Sequence, residues 1–242
     1  MNPRFKYPRT PHLPWSRKST SDDLICHDTS RFDGKRVIVT EKMDGENTSL
    51  YPDGSHARSL DSLHHPSRDW VKRFHAAIAH DIPAGWRVCG ENVYARHSVS
   101  YENLHSYFYG FSIWDNHNTC LSWDDTLEWF ALLGITAPTV LFDGLWDEAT
   151  IRNITIDTER SEGYVVRLAD AFDYVHFTHS VAKWVRKGHV QTDTHWMHAE
   201  IVPNALGSTT TAFNEKSKPA ASTSSARKNA EINAGKNHKE GQ

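Results

Sequence analysis

The sequence predicts an α+β fold made mainly of antiparallel sheets. Strand-like runs, dense in β-branched and aromatic residues, outnumber helical ones. They follow one another without the regular helical crossovers that a parallel sheet requires. Turn chemistry such as Pro52-Asp53-Gly54 joins one run to the next.

Residues 1–30, rich in Pro and Arg, read as an arm laid over the domain rather than as a sheet strand. "KRVIVTEK" (35–42) and "NTSLYPDG" (47–54) read as two strands around a turn containing Gly45. Arg68 to His80 carries Trp70, Phe74, Ala77 and Ile78 at helical spacing, and Ile82-Pro83 ends it. "GWRVCGENVYA" (85–95) and "SYFYGFSIWD" (106–115) are two further strand-like runs. Trp123 to Leu133 predicts a short amphipathic helix, capped by Ser122 and closed by Gly134. "EGYVVRL" (162–168), "FDYVHF" (172–177) and "SVAKWVR" (180–186) read as late strands, and "VQTDTHWMHAEIV" (190–202) as a terminal helix. After Leu206 the composition turns to Ser, Thr, Ala, Asn and Lys, which cannot bury enough apolar area to offset ordering entropy. The expected organisation is therefore a folded domain over 1–206 and a disordered, weakly basic tail over 207–242.

Charge and cysteine usage narrow the class. The formal net charge is −3, but the tail from Gly207 carries six Lys and Arg against three Asp and Glu, which leaves −6 for residues 1–206. An acidic body that binds a polyanion must gather its positive charge in a groove. Three widely spaced cysteines form no CxxC pair, and no apolar run approaches membrane-spanning length. Both point to a soluble cytoplasmic protein. Among sixteen histidines, "HFTH" (176–179) and "HWMH" (195–198) come closest to a metal pair, yet no CxxC or HExxH completes a zinc set. Surface and core histidines are the better reading.

Lys42 ends an apolar strand, where a charged side chain must be solvated, paired or functional. A snorkelling lysine is the default for such a position. Against it stand Gly45, which lets the backbone turn tightly for a ligand, and Asp44 and Asn47 on the same loop. Glu91, Glu162, Lys183 and Arg186 also lie in or beside strand-like runs, so a polar cleft between sheets that holds a polyanion and a metal is expected. As a nucleophile Lys42 must be neutral, and a free lysine at pH 7 is deprotonated in only about one molecule in two to three thousand. Nearby Lys183, Arg186, a metal and desolvation are expected to push its pKa down. Neutrality near pH 7 would take roughly 4 kcal/mol of differential stabilisation. No GxxxxGK[ST] offers a phosphate-loop alternative.

"EKMDGEN" (41–47) resembles the KxDG nucleotidyl-acceptor motif of the covalent nucleotidyltransferases, which include ATP-dependent DNA and RNA ligases and capping guanylyltransferases. "HARS", "CGENVYA", "YFYGFSIWD", "EGYVVRL" and "VAKWVRKG" follow in the order of the motifs numbered Ia, III, IIIa, IV and V. Asn47 after "KMDGE", with "YPRTPHLPWS" (7–16) and "KWVRKGHVQTDTHW" (183–196), is similar to the bacterial and phage RNA ligase group. The fold implied is a ligase adenylation domain, with mainly antiparallel sheets and flanking helices around a nucleotide cleft.

The resemblance implies the following roles. Lys42 would take AMP from ATP as lysyl-AMP, Glu41 would lie beside the adenine, and Asn47 and Arg58 would hold the nucleotide or an incoming 5′-phosphate. Glu91 would hold the ribose or a metal-bound water, and Phe111 would stack on the base, with Tyr109 as the fallback. Glu162, with Glu91, would support Mg²⁺ or Mn²⁺. Lys183, seconded by Arg186 or Lys187, would neutralise the α-phosphate. Ser112 departs from the Asp that many relatives have after the aromatic. Arg9 and His12 are expected to fold over the nucleotide. The implied activity is ATP-dependent joining of RNA 5′-phosphate and 3′-hydroxyl ends in RNA repair, by a monomer, with a kinase or phosphatase as a possible end-processing partner and no membrane association. The alternatives are a GTP-dependent capping-type guanylyltransferase and a non-catalytic RNA-binding module on the same fold.

Overall fold

The computed structural model describes residues 3–16, 23–186 and 201–208. In chain order the elements are β1 (Arg36–Lys42), β2 (Glu46–Tyr51), β3 (Gly54–Ala57), α1 (Asp69–Ile78), β4 (Arg87–Asn92), β5 (Phe108–Trp114), β6 (Thr119–Cys120) and α2 (Trp123–Leu133). They continue with β7 (Val140–Leu145), α3 (Glu148–Arg152), β8 (Gly163–Leu168), β9 (Phe172–Asp173), α4 (Phe177–Ser180) and β10 (Val181–Val185). The strands form two sheets, a four-stranded one of order β10-β8-β1-β7 and a six-stranded one of order β3-β2-β4-β5-β6-β9. Every pair among these named strands is antiparallel, in line with the mainly antiparallel sheets that the sequence predicts. No helix among the described residues is long and apolar enough to cross a membrane.

Alternation along each strand decides which layer it builds. Val37 and Val39 of β1 pack with Leu13, Phe32, Tyr164, Val166 and Ala182, while Ile38 turns to the other side with Trp123 and Ala169. In the six-stranded sheet Leu50, Val88, Phe108 and Ile113 pack under Val71, Phe74 and Ile78 of α1 and Phe130 and Leu133 of α2. Its opposite face sends Cys89, Trp114 and Cys120 to meet Phe172, Phe177 and Val181, with Val165 and Phe111 at the margin. That third cluster is where the two sheets face each other, and the charged strand ends lie beside it. Burying each large apolar side chain in these layers contributes about 1.5–3 kcal/mol.

α2 matches its expected span. Asp125 N–H donates to the Ser122 hydroxyl at 3.1 Å, and Gly134 closes the helix at φ 65°. α1 buries Phe74 and Ile78 as expected, adds Val71, and packs Trp70 against the same cluster; of the expected set only Ala77 is exposed. The runs flanking Gly45 do not form a hairpin: β1 and β2 belong to different sheets, and the turn crosses between them. "FDYVHF" keeps only Phe172–Asp173 as strand and then turns into a 3-10 turn and α4, which carries Phe177 into the core. Residues 190–200 of the expected terminal helix, Lys187 and the tail from 209 lie outside the described residues. The arm is laid over the domain as expected, but it also joins a sheet: His12 bridges to Lys183 of β10 and to Ile25.

Candidate active site

Lys42 is the last residue of β1, paired across to Gly163 of β8, so Glu162 stands one residue beyond the pairing. Lys42 Nζ donates to Glu162 Oε2 at 2.5 Å; the lysine side chain is 20% exposed and the glutamate 2%. Arg186 N–H donates to the Glu162 carbonyl at 3.0 Å, which fixes that backbone from β10. The expected downward shift of Lys42 is overturned. Burial pulls its pKa down, but Glu162, Glu91 and Asp44 together outweigh burial, and the net shift is upward. The resting side chain is an ammonium held by carboxylates.

The facing sheet supplies the rest of the cleft. Asn47 of β2 and Glu91 of β4 are directly opposed in the ladder, on the face away from α1 and α2. Burial pushes the Glu91 carboxyl up to about 8; Lys42 opposes that, and Glu162 and Asp44 add to it. Asn47 Oδ1 is buried without a hydrogen-bond partner among the described residues. Asp44 is fully buried, and its Oδ2 accepts from Ser98 N–H, the Ser98 hydroxyl and Val99 N–H at 2.7–2.8 Å. Its Oδ1 has no hydrogen-bond partner among the described residues. A hydroxyl from Tyr101 accepts the Asp44 N–H at 2.9 Å.

Lys183 of β10 completes the cationic side. Burial first and Lys42 second lower its pKa to about 8, and Arg58 contributes in the same direction. Arg58 is thus electrostatically coupled to Lys183. Arg186 reaches the Ser98 hydroxyl through Nη2 at 3.4 Å. Glu41, whose N–H donates to the Thr139 carbonyl at 2.8 Å, lines a hollow of about 250 Å³ with Leu141, Thr155, Ile156 and Ser161. Burial raises its pKa against hydrogen bonds from Ser161 and Thr139.

Phe111 sits at a bulge where β5 gains one residue over β4, between Gly110 and Ser112. It is half-buried, packs in one cluster with Val165 and meets the Tyr7 ring edge-on at 5.1 Å. Tyr109 is buried and tied through its hydroxyl to His105 N–H at 3.0 Å. Ser112 is buried and accepts from Trp114 Nε1–H at 3.0 Å, a contact a charged Asp would carry only at a desolvation cost. Gly45 also has a packing reason. A Cβ there would lie 2.4 Å from the Asn92 carbonyl, so its absence lets β4 approach closely.

The described residues bring Lys42, Glu162, Glu91, Asn47, Lys183, Arg58 and Arg186 to one cleft; Glu41 and Phe111 flank it. Lys187 lies outside the described residues. Two further residues lie beside this set, Asp44 and His12. Asp44 was visible as the acid of "KMDG", but its burial was not. His12, expected to fold over the nucleotide, is electrostatically coupled to Lys183, Lys42 and Glu162, and its main chain pairs with that of Lys183. No group of three or more His, Cys, Asp and Glu among the described residues encloses a metal ion. Glu91 and Glu162, the two carboxylates expected to support a metal, are both electrostatically coupled to Lys42, and carboxylate oxygens of this kind suit a hard divalent cation that keeps several waters.

Comparison with known proteins gives this cleft a context. A family model described as RNA ligase matches residues 35–185, which include both sheets and the Lys42–Glu162 pair. Among solved structures, Naegleria gruberi RNA ligase with PPi matches at TM-score 0.48 and 16% identity, over 76% of this chain and 61% of that one. A mutant of the same enzyme with ATP and Mn matches at 0.46 and 17%, over 64% and 51%. An archaeal ATP-dependent RNA ligase matches at 0.47 and 16%, over 64% and 44%. The chain thus spans about half the length of these structures. No curated protein sequence matches it. With the family model covering well over half of the residues and both halves of the cleft, the chain belongs to the RNA ligase family.

Proposed function

We propose that this protein is an ATP-dependent RNA ligase that joins RNA 5′-phosphate and 3′-hydroxyl ends. The observation that carries the reading is the buried Lys42–Glu162 pair facing Glu91 and Lys183 across a cleft. A binding module has no need of a lysine so placed, and family membership supports RNA as the substrate.

In the first step the Lys42 amine, once neutral, forms a P–N bond to the α-phosphorus of ATP while the bond to the β-phosphate oxygen breaks and pyrophosphate leaves. Glu162 Oε2, at 2.5 Å, is the acceptor within reach of the amine proton. Lys183 and Arg186 meet the charge that develops on the phosphate. In the second step an RNA 5′-phosphate oxygen takes the adenylyl group and the P–N bond breaks. In the third the 3′-hydroxyl attacks that 5′-phosphate and AMP leaves. Phe111 with Val165 offers the apolar wall for the base, and Asn47 and Arg58 would hold phosphate. Glu91 and Glu162 would hold Mg²⁺ or Mn²⁺ with its waters. Such an ion, when bound, supplies positive charge to phosphate oxygens.

Three buried free cysteines support a reducing, cytoplasmic setting. A monomer working on ends prepared by a kinase or phosphatase completes the proposal. The test is intact mass after incubation with ATP and Mg²⁺, with GTP in parallel, on protein first stripped with pyrophosphate. An AMP-sized gain with ATP alone, absent in Lys42→Ala, is expected. A GMP-sized gain would identify a guanylyltransferase, and no gain with either nucleotide a binding module.

A further inference from the structure

The arm adds an edge to the four-stranded sheet. Leu13 N–H donates to the Lys183 carbonyl and Lys183 N–H to the Pro11 carbonyl, both at 2.8 Å, so His12 is the bridge partner of Lys183. Paired residues send their side chains to the same face, here the face of Lys42. His12 is 2% exposed. Its Nδ1 lies 3.0 Å from Ser16 Oγ, which already accepts Val185 N–H at 3.0 Å. In the tautomer in which the Ser16 hydroxyl donates to Nδ1, the ring proton sits on Nε2. Nε2 has no hydrogen-bond partner among the described residues; Asp23 Oδ1, at 3.7 Å, is beyond hydrogen-bond reach. Burial, with Lys183 and Lys42 adding and Asp23 and Glu162 opposing, pulls the imidazole down to about 4, so the ring is neutral. A buried N–H donor beside two lysines calls for an anionic acceptor.

We propose that His12 Nε2–H binds a phosphate oxygen in the Lys42–Lys183 cleft, opposite the attacking or leaving amine. The inference rests on the ligase reading, and it places a ligand contact outside the residues that the family model matches. Two sources share this chemistry. In the first step the pyrophosphate of ATP departs on the side opposite Lys42 as the P–N bond forms. In the second the RNA 5′-phosphate enters on that side, its oxygen bonding to phosphorus as the P–N bond breaks.

The experiment uses the full chain carrying Lys42→Ala, which cannot form the adduct, titrated with ATP, AMP and inorganic pyrophosphate. His12→Asn, which keeps a group near Nδ1 and deletes Nε2, is expected to weaken ATP and pyrophosphate about 10- to 100-fold, the range of one hydrogen bond to a charged group. AMP binding should stay within about threefold. His12→Gln, which restores a donor near Nε2, should recover most of the loss. In parallel, transfer from preformed lysyl-AMP protein with native Lys42 to 5′-phosphorylated RNA is compared with and without His12→Asn. Slowing there with pyrophosphate binding intact assigns the contact to the RNA phosphate. Equal loss of ATP and AMP, or no loss in any arm, overturns the proposal and leaves His12 as a clasp for the arm. If the wild type forms no adduct, the ligase reading fails, and the pyrophosphate titration still decides the role of His12.

Discussion

On one face of the six-stranded sheet Leu50, Val88, Phe108 and Ile113 pack dry against α1 and α2; on the other, Asn47 and Glu91 stand across from Lys42. The same strands, β2 and β4, supply both faces, one residue apart. The first face satisfies itself, since its residues need only apolar neighbours. The second leaves Asn47 Oδ1 and Asp44 Oδ1 buried without partners among the described residues and raises the pKa of Glu91. Unpaired buried oxygens are costly to keep. Asn47 lies opposite Glu91 in the ladder and Asp44 near Lys42 in the chain, which is why ligand binding is proposed on this side.

The comparison predicts opposite phenotypes for the two faces. Glu162→Gln keeps an acceptor near Lys42 but removes the charge and the proton acceptor. Single-turnover formation of lysyl-AMP should fall by about 10²-fold or more, the scale of losing one electrostatic group in such a site. Thermal stability should change little, because the amide still fills the space. A rate within threefold of wild type would reduce Glu162 to a packing partner and erase the contrast. Phe108→Ala, on the helix-covered side, should do the reverse. A fully buried Phe with Phe74 at a ring distance of 5.7 Å costs about 3–5 kcal/mol in denaturant titration when truncated. At low temperature the surviving folded fraction should still adenylylate.

What the sequence made legible follows the same division. The dry face is written in local patterns: the Ser122 cap, the Gly134 stop and the alternation of β4 and β5 each mark an element that is present. β7 escaped because its residues are half-exposed throughout, with no buried stripe to detect. The turn at Gly45 looks like a hairpin locally; that it crosses between sheets depends on β4 arriving 2.4 Å from where a Cβ would sit. The site residues Lys42, Glu91, Glu162 and Lys183 were legible as charges placed in strands. The upward shift of Lys42 was not, because it depends first on Glu162 and Glu91, both distant in sequence, and only then on nearby Asp44. His12 was legible as an arm residue expected over the nucleotide, but its main-chain pairing with Lys183 was not.

The smallest expected effect sharpens the contrast from outside the cleft, at a charged cluster with no chemistry to perform. Arg36 makes paired hydrogen bonds to Asp143 at 2.7 and 2.8 Å and also reaches Asp124, with all three side chains at least 40% exposed. The Arg36 hydrogen bonds hold the Asp143 carboxyl below its usual value of 3.8. A carboxylate so depressed binds protons less readily in the folded than in the unfolded chain. Its stabilisation is therefore complete above pH 3.8 and fades as pH falls through the lower native value. Solvent screens the cluster, so Arg36→Ala should cost about 1 kcal/mol or less at pH 7. The difference in melting temperature between wild type and variant should shrink as the buffer is taken from pH 5 towards 2.5, and with added salt at pH 7. Lysyl-AMP formation should not change at any of these points. A loss of adenylylation in Arg36→Ala would show that the outer strand β7 and the Lys42 end of β1 are coupled, and that the division between structural and chemical charge is not drawn at the cleft.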